Sequence, residues 1–212
     1  MRQVKVIPPS APFVIGITGG TGCGKTTLLN VLAEQGGLIL DCDAIYHELL
    51  TRDAHLLQRI EARFPGTVEN GQLQRKQLGA IVFSDPAALE DLNRITHGAV
   101  REEVERRLEG HTGLAAIDAI ALFEGGLAPL CHVTVAVTAP EEVRVQRLMK
   151  RDSISEDYAR KRIASQHEEA WFRRHCDCIL KNNGTEVQFH QKCIAFLEEL
   201  GIIESSNIGE GH

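Results

Sequence analysis

The sequence predicts an α/β protein in which a parallel sheet carries helices on both faces, and three observations point there. Short β-branched runs alternate with segments of helical period, a glycine-rich loop joins the first run to the first helix, and the first two runs flank that helix as a β-loop-α-β unit.

The elements follow in order. Phe13-Val14-Ile15-Gly16-Ile17-Thr18 is apolar and ends in glycines, so it reads as a buried strand. Lys25 to Gln35 places Leu28, Leu29, Val31 and Leu32 on one side, and Gly36-Gly37 stops that helix. Leu38-Ile39-Leu40 is a second strand, with Asp41 to Asp43 where it ends. From Ala44 to about Gly110 the pattern becomes charged and helical, an all-helical insertion with turns at Pro65-Gly66, Asn70-Gly71 and Ser84-Asp85-Pro86. Pro86 suits the first turn of a long helix capped by Ser84 or Asp85. Strands return at Leu114 to Ile117 and His132 to Val137. A helix runs from Pro140 through Lys150, a second from Ser155 to about Trp171, a short strand covers Cys178 to Leu180, and Thr185 to Leu200 closes as a helix. The organisation expected is a nucleotide-binding core of residues 12–43, 112–140 and 176–200, an acceptor part at 44–111 and an arginine-rich lid at 141–172.

With 43% hydrophobic and 25% charged residues in 212, the chain is neither disordered nor fibrous. A net charge of -6 argues against wholesale nucleic-acid binding, so anions must be met by a local basic patch. No apolar run approaches the ~20 residues of a membrane span, and Met1 to Pro12 reads as an ordinary extension without a signal-peptide core; cytosol is the expected compartment. The six cysteines show no C-x-x-C pair and no histidine at zinc-finger spacing, so reduced thiols are expected.

Gly19-Gly20-Thr21-Gly22-Cys23-Gly24-Lys25-Thr26 matches G-x-x-x-x-G-K-[ST] between a predicted strand and a predicted helix. The fold expected is therefore the three-layer α/β/α phosphate-loop (P-loop) NTPase. Glycines let successive amides, through Thr27, point into one hollow where the helix N-terminus adds positive charge. Lys25 can reach the β and γ oxygens of ATP, and the Thr26 hydroxyl is a hard ligand suited to Mg2+.

Asp43, at the end of the second strand, faces the same crevice. A carboxylate there can accept the proton of an attacking hydroxyl, typically ~100 to 10,000-fold in rate, or hold magnesium through water. Capping the next helix, which Asp41 can equally do, is the other reading. Asp118 ends the third core strand, near where a metal would sit; it and Glu124 are either functional or solvated acids. Arg144, Arg147, Lys150, Arg151, Arg160, Lys161 and Arg162 form the required basic patch. Arg147 and Arg151 share a helix face from which both can clamp phosphoryl oxygens, unless the charges merely pair with neighbouring acids.

Ile17-Thr18-Gly19-Gly20, Asp41-Cys42-Asp43 with Ile45 and Glu48-Leu49, Leu122-Phe123-Glu124, Arg147, Arg151-Asp152, Arg162-Ile163 with Gln166, and Asn182-Asn183-Gly184 together resemble the dephospho-coenzyme A kinase family from about Val14 to Leu200. The resemblance implies transfer of the ATP γ-phosphoryl group to the ribose 3′-hydroxyl of dephospho-coenzyme A, with Asp43 as base and Lys25 and Arg147 as its catalytic cations. It implies ATP contacts from the loop, Arg147, Arg151, Asn182 and Gly184, and acceptor contacts from Asp43, His47, His97, Leu122 and Glu124. The chain departs from the family where Gly98 follows His97 and where Asp118-Ala119-Ile120 carries no proline, which frees backbone torsions on the acceptor side. A monomer acting on a small molecule is expected. The competing readings are a nucleoside or nucleotide kinase and a non-catalytic nucleotide switch, although no N-K-x-D segment is present.

Overall fold

Apolar runs bounded by glycine become the parallel strands β1 (Pro12–Thr18), β2 (Leu38–Asp41), β5 (Gly113–Asp118), β6 (Val133–Thr138) and β7 (Cys178–Lys181). The computed structural model describes residues 11–203; of the expected N-terminal extension, Met1 to Ser10 lie outside them and Pro12 opens β1. The five strands form one sheet in the order β2-β5-β1-β6-β7. Helix α1 (Lys25–Glu34) carries the chain from β1 past β5 to β2, which leaves β1 at the centre with its loop over the carboxyl edge.

Period-two alternation divides β1 between two cores. Val14 faces a cluster with Leu40, Ile45, Leu49, Val104 and Ile117, whereas Ile15 and Ile17 face one with Leu28, Leu32 and Phe189. Each such side chain contributes roughly 1.5–3 kcal/mol on burial. On one face lie α1 and α9 (Glu186–Glu199); on the other lie α2 (Cys42–Arg52) and α5 (Pro86–Leu108), so three layers result. Between α2 and α5 come α3 (Ala54–Arg63) and α4 (Arg75–Val82), and after β6 come α6 (Glu141–Asp152), α7 (Glu156–Ala164) and α8 (Glu169–His175).

Three expectations need correction. The segment between β2 and β5 is not all-helical: β3 (Val68–Glu69) and β4 (Gln72–Leu73) form a hairpin about Asn70-Gly71, both with positive φ (50 and 73). Strands of two residues carry no period that a sequence can reveal. Secondly, the helix expected through Trp171 breaks after Ala164, because Gln166 turns away to bond the glycine-rich loop and Glu168 caps a new helix. Thirdly, Asp41 to Asp43 do not form one segment past the strand end: Asp41 closes β2, α2 begins at Cys42, and Asp43 lies on its first turn. Helix α5 runs unbroken through Gly98, where the absence of proline preserves the backbone donor.

A buried carboxylate fastens α2 to α5. Glu103, 8% exposed, receives bonds from Arg52 of α2 at 2.6 Å and from Arg106 and Arg107 of its own helix. Bonding by Arg106, with Arg107 and Arg52 behind it, pushes its pKa down to about 2 despite burial. Among the described residues no helix is long and apolar enough to cross a membrane.

Candidate active site

The loop after β1 is built so that only glycine fits at its turns. Gly19 has φ 129, and a Cβ there would stand 2.2 Å from the Val137 carbonyl oxygen. Gly24 caps α1 in the left-handed region, and its Cβ would stand 2.3 Å from Asn182 Nδ2. The loop carbonyls are held from outside. Arg144 Nε donates to Thr21 O at 2.9 Å, Arg147 Nη1 to Gly22 O at 3.1 Å, and Asn182 Nδ2 to Cys23 O at 2.9 Å. A trans peptide points its N–H opposite its carbonyl, so the amides of Gly22 and Gly24 face the inner side. Gln166 completes the clasp by accepting from Thr21 N and Arg144 Nη2, each at 2.9 Å.

Inside lies a cavity of about 680 Å³, lined by residues 20–26, Asp43, Asp118, Ile120, Arg147 and Arg151 among others, within the range of small-molecule sites. Lys25 Nζ donates to Gly19 O at 3.2 Å and stands 3.9 Å from Asp118 Oδ1. Asp118 pairs with both Asp41 and Ile17 in strand register, which sets its carboxyl in the notch between β2 and β1. Burial, opposed by Lys25 and reinforced by Asp41 and Asp43, raises its pKa to about 6. Its Oδ1 is buried without a hydrogen-bond partner.

That charge is held at a cost to the fold. A folded-state value near 6 above an ordinary 3.8 means that native protein binds the proton more tightly, so stability present below pH 4 is lost as pH rises through 6. We expect Asp118→Asn to stabilise nucleotide-free protein at pH 8, by about 2–3 kcal/mol at most, and to show no such gain at pH 4. Thermal melts at the two pH values measure this. An equal effect at both would refute it.

The arginines divide by partner. Arg147 is tied to the loop, and Asp152 holds Arg151 and Arg162 at 2.6 and 2.7 Å, so both stand together at the cavity wall. Arg160 is spent on Glu141, Glu142 and Glu156, and Lys161 on Asp157; these two members of the expected patch lie outside the cavity and fasten α7. Asn182 is 3% exposed beneath the loop, its Oδ1 without a partner. Gly184 is packed against Gln188 of the α9 capping box.

A second cavity, about 230 Å³, is lined by Cys42, Asp43, Tyr46, Asn93, Thr96 and His97 among others, and Asp43 and Ile120 line both cavities. Asp43 is free for this because Asp41 takes the cap: Asp41 Oδ1 accepts from Asp43 N at 2.9 Å and Ala44 N at 3.0 Å. The Cys42 thiol is pushed up to about 12 by burial and by Asp118, Asp41 and Asp43, so it stays protonated and inert.

Of the acceptor residues expected from the sequence, the structure brings Asp43 and His97 together and leaves three elsewhere. Leu122 is fully buried beneath Gly16, 0% exposed, and serves packing. Glu124 binds His167 at 2.7 Å, and His47 is exposed with Nδ1 2.7 Å from Asp43 O; neither lines the cavity. Sequence reasoning missed Tyr46, Asn93 and Thr96. Asn93, Thr96 and His97 recur at helical spacing beside apolar Leu92 and Val100, a signal that was present.

Comparison with known proteins adds to this geometry. A family model described as "Dephospho-CoA kinase" matches residues 13–188. A dephospho-CoA kinase of Moorella thermoacetica is 37% identical over 179 residues, covering 81% of this chain and 84% of that one. Among solved structures, TT1252 from Thermus thermophilus superposes with a TM-score of 0.74 at 33% identity over 90% of this chain and 98% of its own. A dephospho-CoA kinase from Campylobacter jejuni gives 0.63 at 26% identity over 89% and 97%.

Proposed function

The chain belongs to the dephospho-CoA kinase family, and from that premise we propose that it transfers the γ-phosphoryl group of ATP to the ribose 3′-hydroxyl of dephospho-coenzyme A, with Asp43 accepting the hydroxyl proton. One observation carries the assignment of roles: the Asp43 carboxylate is the acidic group on the wall common to the phosphate cavity and the smaller one beside it. A hydroxyl presented from the smaller cavity meets the base and the phosphorus at the same boundary.

The loop amides and Lys25 hold the β and γ oxygens, and Arg147, fixed to Gly22, meets charge that develops as the phosphoryl group leaves. Arg151 and Arg162 close the outer wall, and the region 141–172 acts as the lid. Helices α2 and α5 shape the acceptor side within 44–111.

Magnesium fits this site. Asp118 offers a buried carboxylate oxygen without a partner and Thr26 an exposed hydroxyl, hard oxygen donors of the kind magnesium takes alongside substrate phosphates. When bound, the ion supplies neutralisation of charge on the transferred group. We further assign the protein to the cytosol as a monomer.

A coupled ADP assay with ATP and magnesium tests the function, comparing dephospho-coenzyme A with adenosine, uridine and AMP. We expect kcat/KM for dephospho-coenzyme A to exceed the others by roughly 100-fold or more. Preference for uridine or AMP would make it a nucleoside or nucleotide kinase, and no acceptor turnover at all a switch.

A further inference from the structure

The acceptor proposed above carries a diphosphate between its adenosine and its pantetheine arm, and the smaller cavity supplies nothing to meet that charge. Its lining holds Asp43 and no lysine or arginine. A dianion drawn toward a pocket walled by a carboxylate needs a cation at the rim, or it binds against repulsion.

One arginine beside it is uncommitted. Between residues 44 and 111, every arginine except Arg75 stands within ion-pair distance of a carboxylate among the described residues. Arg75 is exposed and opens α4, two residues after Leu73. Strand β4 packs on α2, and Leu73 and Tyr46 lie against the same core. Tyr46 lines the cavity one helical turn from Asp43. Burial raises the pKa of its phenol, and the nearby Arg75 charge opposes that rise. The start of α4 is otherwise poor in compensation: no side chain caps it, and its first turn contains Arg75 and Lys76 and no acid. Two cations at the positive end of a helix are unfavourable until an anion joins them.

We infer that Arg75 binds the diphosphate of the acceptor at the mouth of the Asp43 cavity, beside Tyr46, and thereby selects acceptors that carry this group over bare nucleosides. Arg75 touches no reacting atom. Its contribution appears in acceptor binding, and a planar guanidinium can bridge oxygens of both phosphates.

The inference rests on the proposed function, and one set of measurements separates the two. With Arg75→Gln, we expect KM for dephospho-coenzyme A to rise about 10-fold or more, kcat to stay within about 3-fold, and KM for ATP to be unchanged. The inhibition constant of adenosine, which lacks the diphosphate, should not move. Arg75→Lys should recover part of the loss, and added salt should raise KM more steeply in wild type than in Arg75→Gln. An unchanged KM in Arg75→Gln overturns the inference while leaving the function intact. So does an equal weakening of adenosine or ATP, or a large fall in melting temperature, since either marks a structural role. Failure of the wild-type protein to turn over dephospho-coenzyme A sinks both.

Discussion

Lys25→Ala is expected to lower kcat/KM for ATP by about 1,000-fold or more, close to 4 kcal/mol, while the far-ultraviolet circular dichroism spectrum stays that of the wild type. Lys25 is 14% exposed at the floor of the phosphate cavity and is the cation set directly against Asp118. Without it, a triphosphate would enter a hollow containing Asp118 and Asp43 with Arg147, Arg151 and Arg162 on the walls but no cation set against Asp118. Asp118 would then be harder still to ionise, since Lys25 is the influence that lowers its pKa. Lys25→Arg should not restore activity. The ammonium is a compact charge held at 3.2 Å by the Gly19 carbonyl, and a guanidinium is too broad for that place. Steady-state turnover and a nucleotide titration measure the effect. Activity above a tenth of wild type would mean that the loop binds something other than the transferred phosphate.

The loop, its strand and its helix were legible in the sequence because eight contiguous residues carry the whole device and the flanking periods are local. Asp43 was legible for a similar reason: the end of a parallel strand next to a phosphate loop opens on the same crevice. What holds the loop was not. Gln166 reaches Thr21 across 145 residues and Arg144 reaches it across 123, and no local pattern distinguishes either from a solvated side chain. The break at residues 165–168 exists to deliver Gln166, so a helical period misreads it as continuous. Leu122, which the family resemblance sets among the acceptor contacts, is buried and fills the space beside Gly16, a packing role that the segment Leu122-Phe123-Glu124 does not reveal. The cap went to Asp41 and not Asp43 through the position of a single residue, a distinction that strand boundaries read from sequence are too coarse to make.

That distinction makes Asp43→Asn the sharpest test of the mechanism. We expect kcat to fall by about 100- to 10,000-fold with KM for both substrates changed by less than about 3-fold. Were Asp43 the cap of α2, the substitution would act through the helix, and loss of activity would accompany loss of fold. Asp41 holds those amides instead, so Asp43 gives the helix only the favourable placement of an acid in its first turn, about 0.3–1 kcal/mol. Asparagine keeps the size and can still bond to a hydroxyl, but it cannot take the proton. A drop in kcat at constant KM and melting temperature therefore assigns proton acceptance to this carboxylate. Unchanged turnover would remove Asp43 as the base, and a rise in KM alone would make it a group that holds the ribose. The neighbouring Asp118 provides the contrast, because its neutral substitute is expected to gain stability at pH 8, whereas Asp43→Asn should leave stability nearly where it was.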